Sequence, residues 1–211
     1  MKRNILAIFV VAAALACGEP TTSTPVAGAP GYLRLRGGVA FDVSGTPAFA
    51  DKAVVPATFA VALIDSVSGP VILAFNEKSP GTGDFFILSL AAVRTGVFGP
   101  CADGPSKTYP DGSILTLAGA CQVRLLQDVV PAGMLLRSRT FLQSVGGSVT
   151  VQSVGDRLVG TVADLQLSGG SGTTDVTIAS GEFDLPIMRG AAAAAMESCF
   201  LASAIGNTCK P

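Results

Sequence analysis

The stretch that most constrains this chain runs from Ser148 to Ile187. Val149 and Val151 alternate with Ser, Thr and Gln, the chain turns at Val154-Gly155-Asp156, and the pattern resumes through Arg157–Leu167. After Gly169-Gly170-Ser171-Gly172 it returns in Asp175–Ala179 and Glu182–Ile187, where Phe183, Leu185 and Ile187 fall on one face. A period of two is that of an extended strand, because successive side chains leave on opposite sides of the pleat. Connections this short imply antiparallel neighbours, since a parallel return needs a crossover of about a dozen residues.

The earlier chain repeats the theme less cleanly. Leu33 and Leu35 alternate with Arg34 and Arg36, and Val39, Phe41 and Val43 with Ala40, Asp42 and Ser44; Gly37-Gly38 between them marks a bulge or tight bend. Further runs follow at Thr58–Asp65, Val71–Asn76, Phe85–Leu90, Ser113–Leu117, Gln122–Gln127 and Arg139–Val145, each bounded by Gly, Pro, Asn or Asp. Several are continuously apolar, which suits strands buried on both sides. About nine or ten strands in one domain predict an all-β fold, either an antiparallel β-sandwich or an up-and-down barrel of the lipocalin-like kind. One helix is expected near the end, where Ala191–Ala195 leads into Met196–Ala202 and Gly206-Asn207 would stop it. Residues 32–211 then form a single β-rich domain, with 190–211 as a short helical cap.

Apolar residues make up 49% of the 211 and charged residues only 14%, enough for a core and too apolar for a disordered chain. The formal charge is −1, which argues against a nucleic-acid binder. Histidine and tryptophan are absent. Losing histidine removes the commonest proton shuttle and zinc ligand.

The first residues carry an address. Lys2 and Arg3 precede an apolar run, Ile5 to Ala16, that is too short to span a bilayer core of roughly 20 helical residues. Ala14-Leu15-Ala16-Cys17 resembles the lipobox of bacterial lipoproteins. The resemblance implies that Met1–Ala16 is a signal peptide cut before Cys17, and that the Cys17 thiol carries a diacylglycerol. The same residues also fit an A-x-A site for ordinary signal peptidase, which would release a soluble secreted product. Cysteine parity favours lipidation. Of five cysteines, lipidation consumes Cys17 and leaves the even set Cys101, Cys121, Cys199 and Cys209. Losing Lys2 and Arg3 takes the mature charge from −1 to −3. Residues 17–31, rich in Pro, Thr, Gly and Ala, read as the lipidated cysteine and a flexible tether. The partner so implied is a membrane, and Gly18 in place of an aspartate points to the outer membrane if the source is Gram-negative.

Export favours disulfides, and spacing favours the local pairs Cys101–Cys121 and Cys199–Cys209. The second pair would tie down the C-terminal helix. A zinc site is disfavoured, because there is no C-x-x-C and no histidine.

Other candidates each meet a plainer explanation. Glu182 and Asp184 share a strand face and could act as paired carboxylates on a glycoside, or simply line a solvated face. Asp103-Gly104 and Asp111-Gly112 lack a calcium-loop ladder and read as turns. Ser106-Lys107 has the wrong spacing for an S-x-x-K pair, and Gly169–Gly172 lies between strands without the lysine of a phosphate loop. The pairs Arg34/Arg36 and Arg137/Arg139 could meet anionic lipid or polysaccharide, but read better as guards of exposed sheet edges.

The segments Val159-Gly160-Thr161-Val162 and Gly181-Glu182-Phe183-Asp184-Leu185-Pro186 resemble a pattern of uncharacterised β-rich bacterial lipoproteins. That resemblance implies a fold class and no activity. The sequence therefore predicts a non-enzymatic envelope lipoprotein with a structural or interaction role, without cofactor or metal. The alternative is an extracytoplasmic binder of a small apolar ligand or a glycan.

Overall fold

The computed structural model describes residues 29–45, 48–50, 53–55, 58–64, 69–79, 82–102, 106–108, 114–116, 120–132, 135–137, 140–169, 174–190 and 193. Seven of the strands among these residues close into a barrel: β5 (Phe59–Ile64), β6 (Val71–Ser79), β7 (Thr82–Leu90), β11 (Cys121–Ala132), β13 (Thr140–Val154), β14 (Arg157–Ser168) and β15 (Val176–Arg189). They stand around the barrel in chain order, each antiparallel to the next. Seven is odd, so the last stave runs in the same direction as the first. The closing pair is accordingly parallel, with Ile187 opposite Ala62 and Arg189 opposite Ile64. A lipocalin avoids this with eight staves. Of the two expected architectures the barrel is the one found, and the sheet that a sandwich would split is continuous here.

Alternation explains the wall. On β5, Ala60, Ala62 and Ile64 face inward while Phe59, Val61 and Leu63 face outward, and all six are buried. The same double burial holds along β6 and β7, which is why these stretches read as unbroken apolar runs. Outside, Phe59, Phe75 and Phe85 cluster with ring centroids 6.3–6.4 Å apart, and Ala193 belongs to the same buried layer. Across β13 to β15 the inward residues are apolar apart from Ser144, and the outward ones are exposed or half-buried, as the two-residue period requires.

Two long strands divide their edge between two partners. β15 pairs with β1 (Gly31–Gly37) from Ile178 to Asp184, and with β5 only over its last three residues. The gap so opened is filled by the hairpin of β1 and β2 (Phe41–Gly45), whose Leu33, Leu35, Phe41 and Val43 are fully buried in the barrel core. Phe41 reaches across to Phe86 of β7, centroid to centroid 6.0 Å. Gly31 and Gly45, opposite each other in the hairpin, lie on the backbone of β5. A Cβ on either would sit 2.1–2.2 Å from the Thr58 or Ala60 carbonyl oxygen, so only glycine permits the approach.

β13 behaves likewise. Thr140–Gln143 pair with β11, the strand then bulges, and Val149–Val151 pair with β8 (Gly96–Phe98). Gly147, at φ +98°, makes the bulge. Where the β11–β13 ladder parts, the Val123 amide donates to Ser144 Oγ at 2.9 Å, so a buried donor is not orphaned.

The Cys101–Cys121 disulfide ties the segment after β8 to the first residue of β11, and the Cys101 amide donates to the Gly147 carbonyl at 2.9 Å. Cys199 and Cys209 lie outside the described residues, as do Cys17 and the signal. The expected C-terminal helix over 191–202 falls outside the described residues except for Ala193, whose backbone is helical, and a single residue does not make a helix. Two short hairpins, β3 (Ala48–Ala50) with β4 (Ala53–Val55) and β9 (Ser106–Thr108) with β10 (Ile114–Thr116), stand apart from the main sheet. β12 (Leu135–Arg137) extends β11 at an edge.

Candidate functional site

The interior is where a barrel would hold a ligand. Leu33, Leu35, Phe41, Phe86, Val123 and Leu125 show 0% exposure, so no water-sized space adjoins them from outside or from within. These side chains come from β1, β2, β7 and β11, which places filled volume on both sides of the lumen. At the rim where β7 ends and β8 begins, the Arg94 guanidinium lies 4.6 Å above the Phe98 ring and covers it.

The polar candidates on β1, β2 and β15 lie on the outside. Glu182 and Asp184 do share a face, but each is engaged by an arginine. Arg34 Nη1 donates to Glu182 at 3.1 Å and its Nε to Asp42 at 3.3 Å, while Arg36 reaches Asp42 at 3.5 Å. The hydrogen bond to Glu182, with the charge of Asp42 beside it, raises the Arg34 pKa above its ordinary value. Arg34 and Arg36 are thus not guards of an exposed edge. β1 is hydrogen-bonded on both sides, to β15 and to β2, and the arginines make cross-strand ion pairs. Such exposed pairs are screened by water and contribute little to stability.

Arg157 has a different task. Its Nε donates to Asp184 Oδ1, its Nη2 to the Asp184 carbonyl at 3.0 Å, and its Nη1 to the Ala29 carbonyl at 2.8 Å. Lying across β15, it clamps the chain entering β1 against the wall. The fork of the guanidinium makes this possible, since a lysine could not span three acceptors in fixed directions.

A third cluster lies where β6, β7 and β11 meet. Lys78 Nζ is 2.8 Å from the buried Asp84 and 3.5 Å from Asp128, and the Asp128 amide donates to Asp84 Oδ1 at 3.1 Å. Asp128 stands at φ 52°, in the β11 bulge that turns its amide toward Asp84. Partial burial works against the Lys78 ammonium, but the hydrogen bond and charge of Asp84, then Asp128, more than offset it and raise its pKa above 10.5. The unfolded lysine titrates near 10.5 and the folded one higher, so this contribution is complete below about pH 10.5 and lost as pH rises through the folded value. Urea midpoints followed from about pH 9 to about pH 12 should fall more steeply for the wild type than for Lys78→Met; equal slopes would show the triad contributes nothing.

None of these clusters sets a nucleophile beside a base, and among the described residues no three of His, Cys, Asp and Glu are grouped to hold a metal ion. Ser106 and Lys107 lie in β9 and Arg137 in β12. Asp103, Asp111, Arg139 and Gly170–Gly172 are outside the described residues. Sequence reasoning did not single out Arg94, Lys78, Asp84, Asp128 or Arg157. The Val-Gly-Asp-Arg turn marks where Arg157 sits, but its targets are 27 and 128 residues away. Comparison with protein-family models, with curated proteins and with solved structures finds no match.

Proposed function

We propose that the chain is a bacterial cell-envelope lipoprotein. Met1–Ala16 directs export, Cys17 carries the lipid, and the barrel serves as a non-enzymatic structural or interaction module held at the membrane surface. In a Gram-negative cell that surface is the outer membrane. The observation that carries this reading is the buried Cys101–Cys121 bond in the barrel wall, a linkage at home in an oxidising compartment outside the cytosol. With those two cysteines consumed by each other, Cys17 is the one cysteine placed where a signal peptide would end.

The second reading, a binder of a small apolar ligand or glycan, needs an open lumen. The packing of Phe41 on Phe86 in the interior weighs against it.

Labelling with radioactive palmitate tests the anchor. The wild-type precursor should take up label and Cys17→Ser should take up none, with the variant no longer sedimenting with membranes. Label that persists in Cys17→Ser refutes lipidation at this residue. An unlabelled wild type released into the medium would point to ordinary signal peptidase instead.

A further inference from the structure

One rim of the barrel gathers the end of β7 at Leu90, the start of β11 at Cys121, the β13–β14 turn at Gly155 and the end of β15 at Arg189. Because β1 runs antiparallel to β15, the chain preceding β1 arrives from this same rim, and Arg157 fixes it there at Ala29 and Pro30. The rim also carries Val93, exposed at 43%, and Arg94, with Val97, exposed at 64%, just below them opposite Thr150; Arg189 is on the same rim, its Nη2 donating to the Gly155 carbonyl at 3.0 Å. Its described carboxylates are Asp156, which is exposed, and Asp184, which is held by Arg157.

We propose that this rim is the face the barrel turns to the bilayer, with Val93 and Val97 entering the headgroup layer and Arg94 and Arg189 meeting anionic lipid phosphates. The inference rests on the Cys17 anchor proposed above. Eleven residues lie between Cys17 and Ala29, and a coil of that length averages roughly 20 Å end to end. A fifteen-residue stave such as β13, tilted as barrel strands are, stands about 40 Å tall. An average tether therefore does not carry the lipid from the pinned rim past the opposite one. Small apolar side chains interleaved with arginines are also the chemistry of an interfacial contact, where the guanidinium stays at the phosphates while the valines leave water.

Val145 provides an internal control. It is exposed at 54%, similar to the rim valines, but lies five residues down β13 from Thr150, the residue opposite Val97, about 17 Å along the strand. The test uses lipidated full-length protein, valine methyl-labelled, in phosphatidylethanolamine–phosphatidylglycerol vesicles doped with a lipid bearing a headgroup gadolinium chelate. The Val93 and Val97 methyl signals should lose most of their intensity while Val145 keeps its own. Equal loss at Val145 and Val97, or retention at all three in protein that floats with the vesicles, overturns the orientation. Protein whose mass shows no lipid and which does not float overturns the anchor, and the orientation with it.

Discussion

Phe86→Ala should destabilise the barrel by about 3–5 kcal/mol, the cost of emptying a fully buried aromatic position that the neighbours only partly refill. Phe86 is 0% exposed and packs on Phe41 at 6.0 Å. Its loss removes the contact by which the β1–β2 hairpin reaches β7 across the interior. For a domain of this size the melting temperature should fall by roughly 6–20 °C. Urea titration should show a lower midpoint with an unchanged slope, which marks lost stability and not a changed unfolded state. The exposed Val97→Ala, by contrast, should stay within about 0.5 kcal/mol of wild type. A Phe86→Ala loss below about 1 kcal/mol would mean that the interior is not filled as described, and would reopen the ligand-binding reading.

Replacing both disulfide cysteines, Cys101→Ala with Cys121→Ala, should cost about 3 kcal/mol. The bond closes a loop across a sequence separation of 20, and the chain-entropy model assigns roughly that value to such a loop. Both residues are at most 1% exposed, so alanine fits the apolar surroundings without leaving a polar atom unpaired. The damage should be local before it is global. β8 makes only three register pairs with β13, and the bond is what fixes the residues after it to β11. Hydrogen exchange should therefore show lost protection at the Cys101 amide and across β8, with β6 and β7 little changed. Uniform loss over all staves, or none at Cys101, would contradict that role.

How much of this was legible in sequence depended on what each face of a strand meets. β14 is legible to within a residue, and β13 and β15 each as two runs that the structure joins across glycines, because one side is buried and the other wet, so polarity records the pleat. β5, β6 and β7 could be found as strands but not oriented, since both faces are apolar and both are buried. β8 carries three residues and no pattern, and nothing local announced it. Arg34 and Arg36 read in sequence as residues of an exposed edge for a reason of the same kind. Whether a strand is an edge depends on what lies beside it, and β1 turned out to have neighbours on both sides. The Cys101–Cys121 pair was legible because few cysteines were available and the nearest pairing was also the one made.

The sequence by itself determined that this protein is all-β, which residues of its last three strands face the core, and where a lipid anchor is to be sought. Those properties are local: a two-residue period follows from backbone dihedrals, and a cleavage motif from a few adjacent side chains. Tertiary structure alone decided that the sheet closes, that an odd number of staves forces a parallel seam, and that an N-terminal hairpin fills the gap beside it. It also decided that Val93 and Arg94 share a rim with the chain entering β1. Each of these depends on backbone hydrogen bonds and packing between residues far apart in the chain, and no stretch of sequence contains both partners.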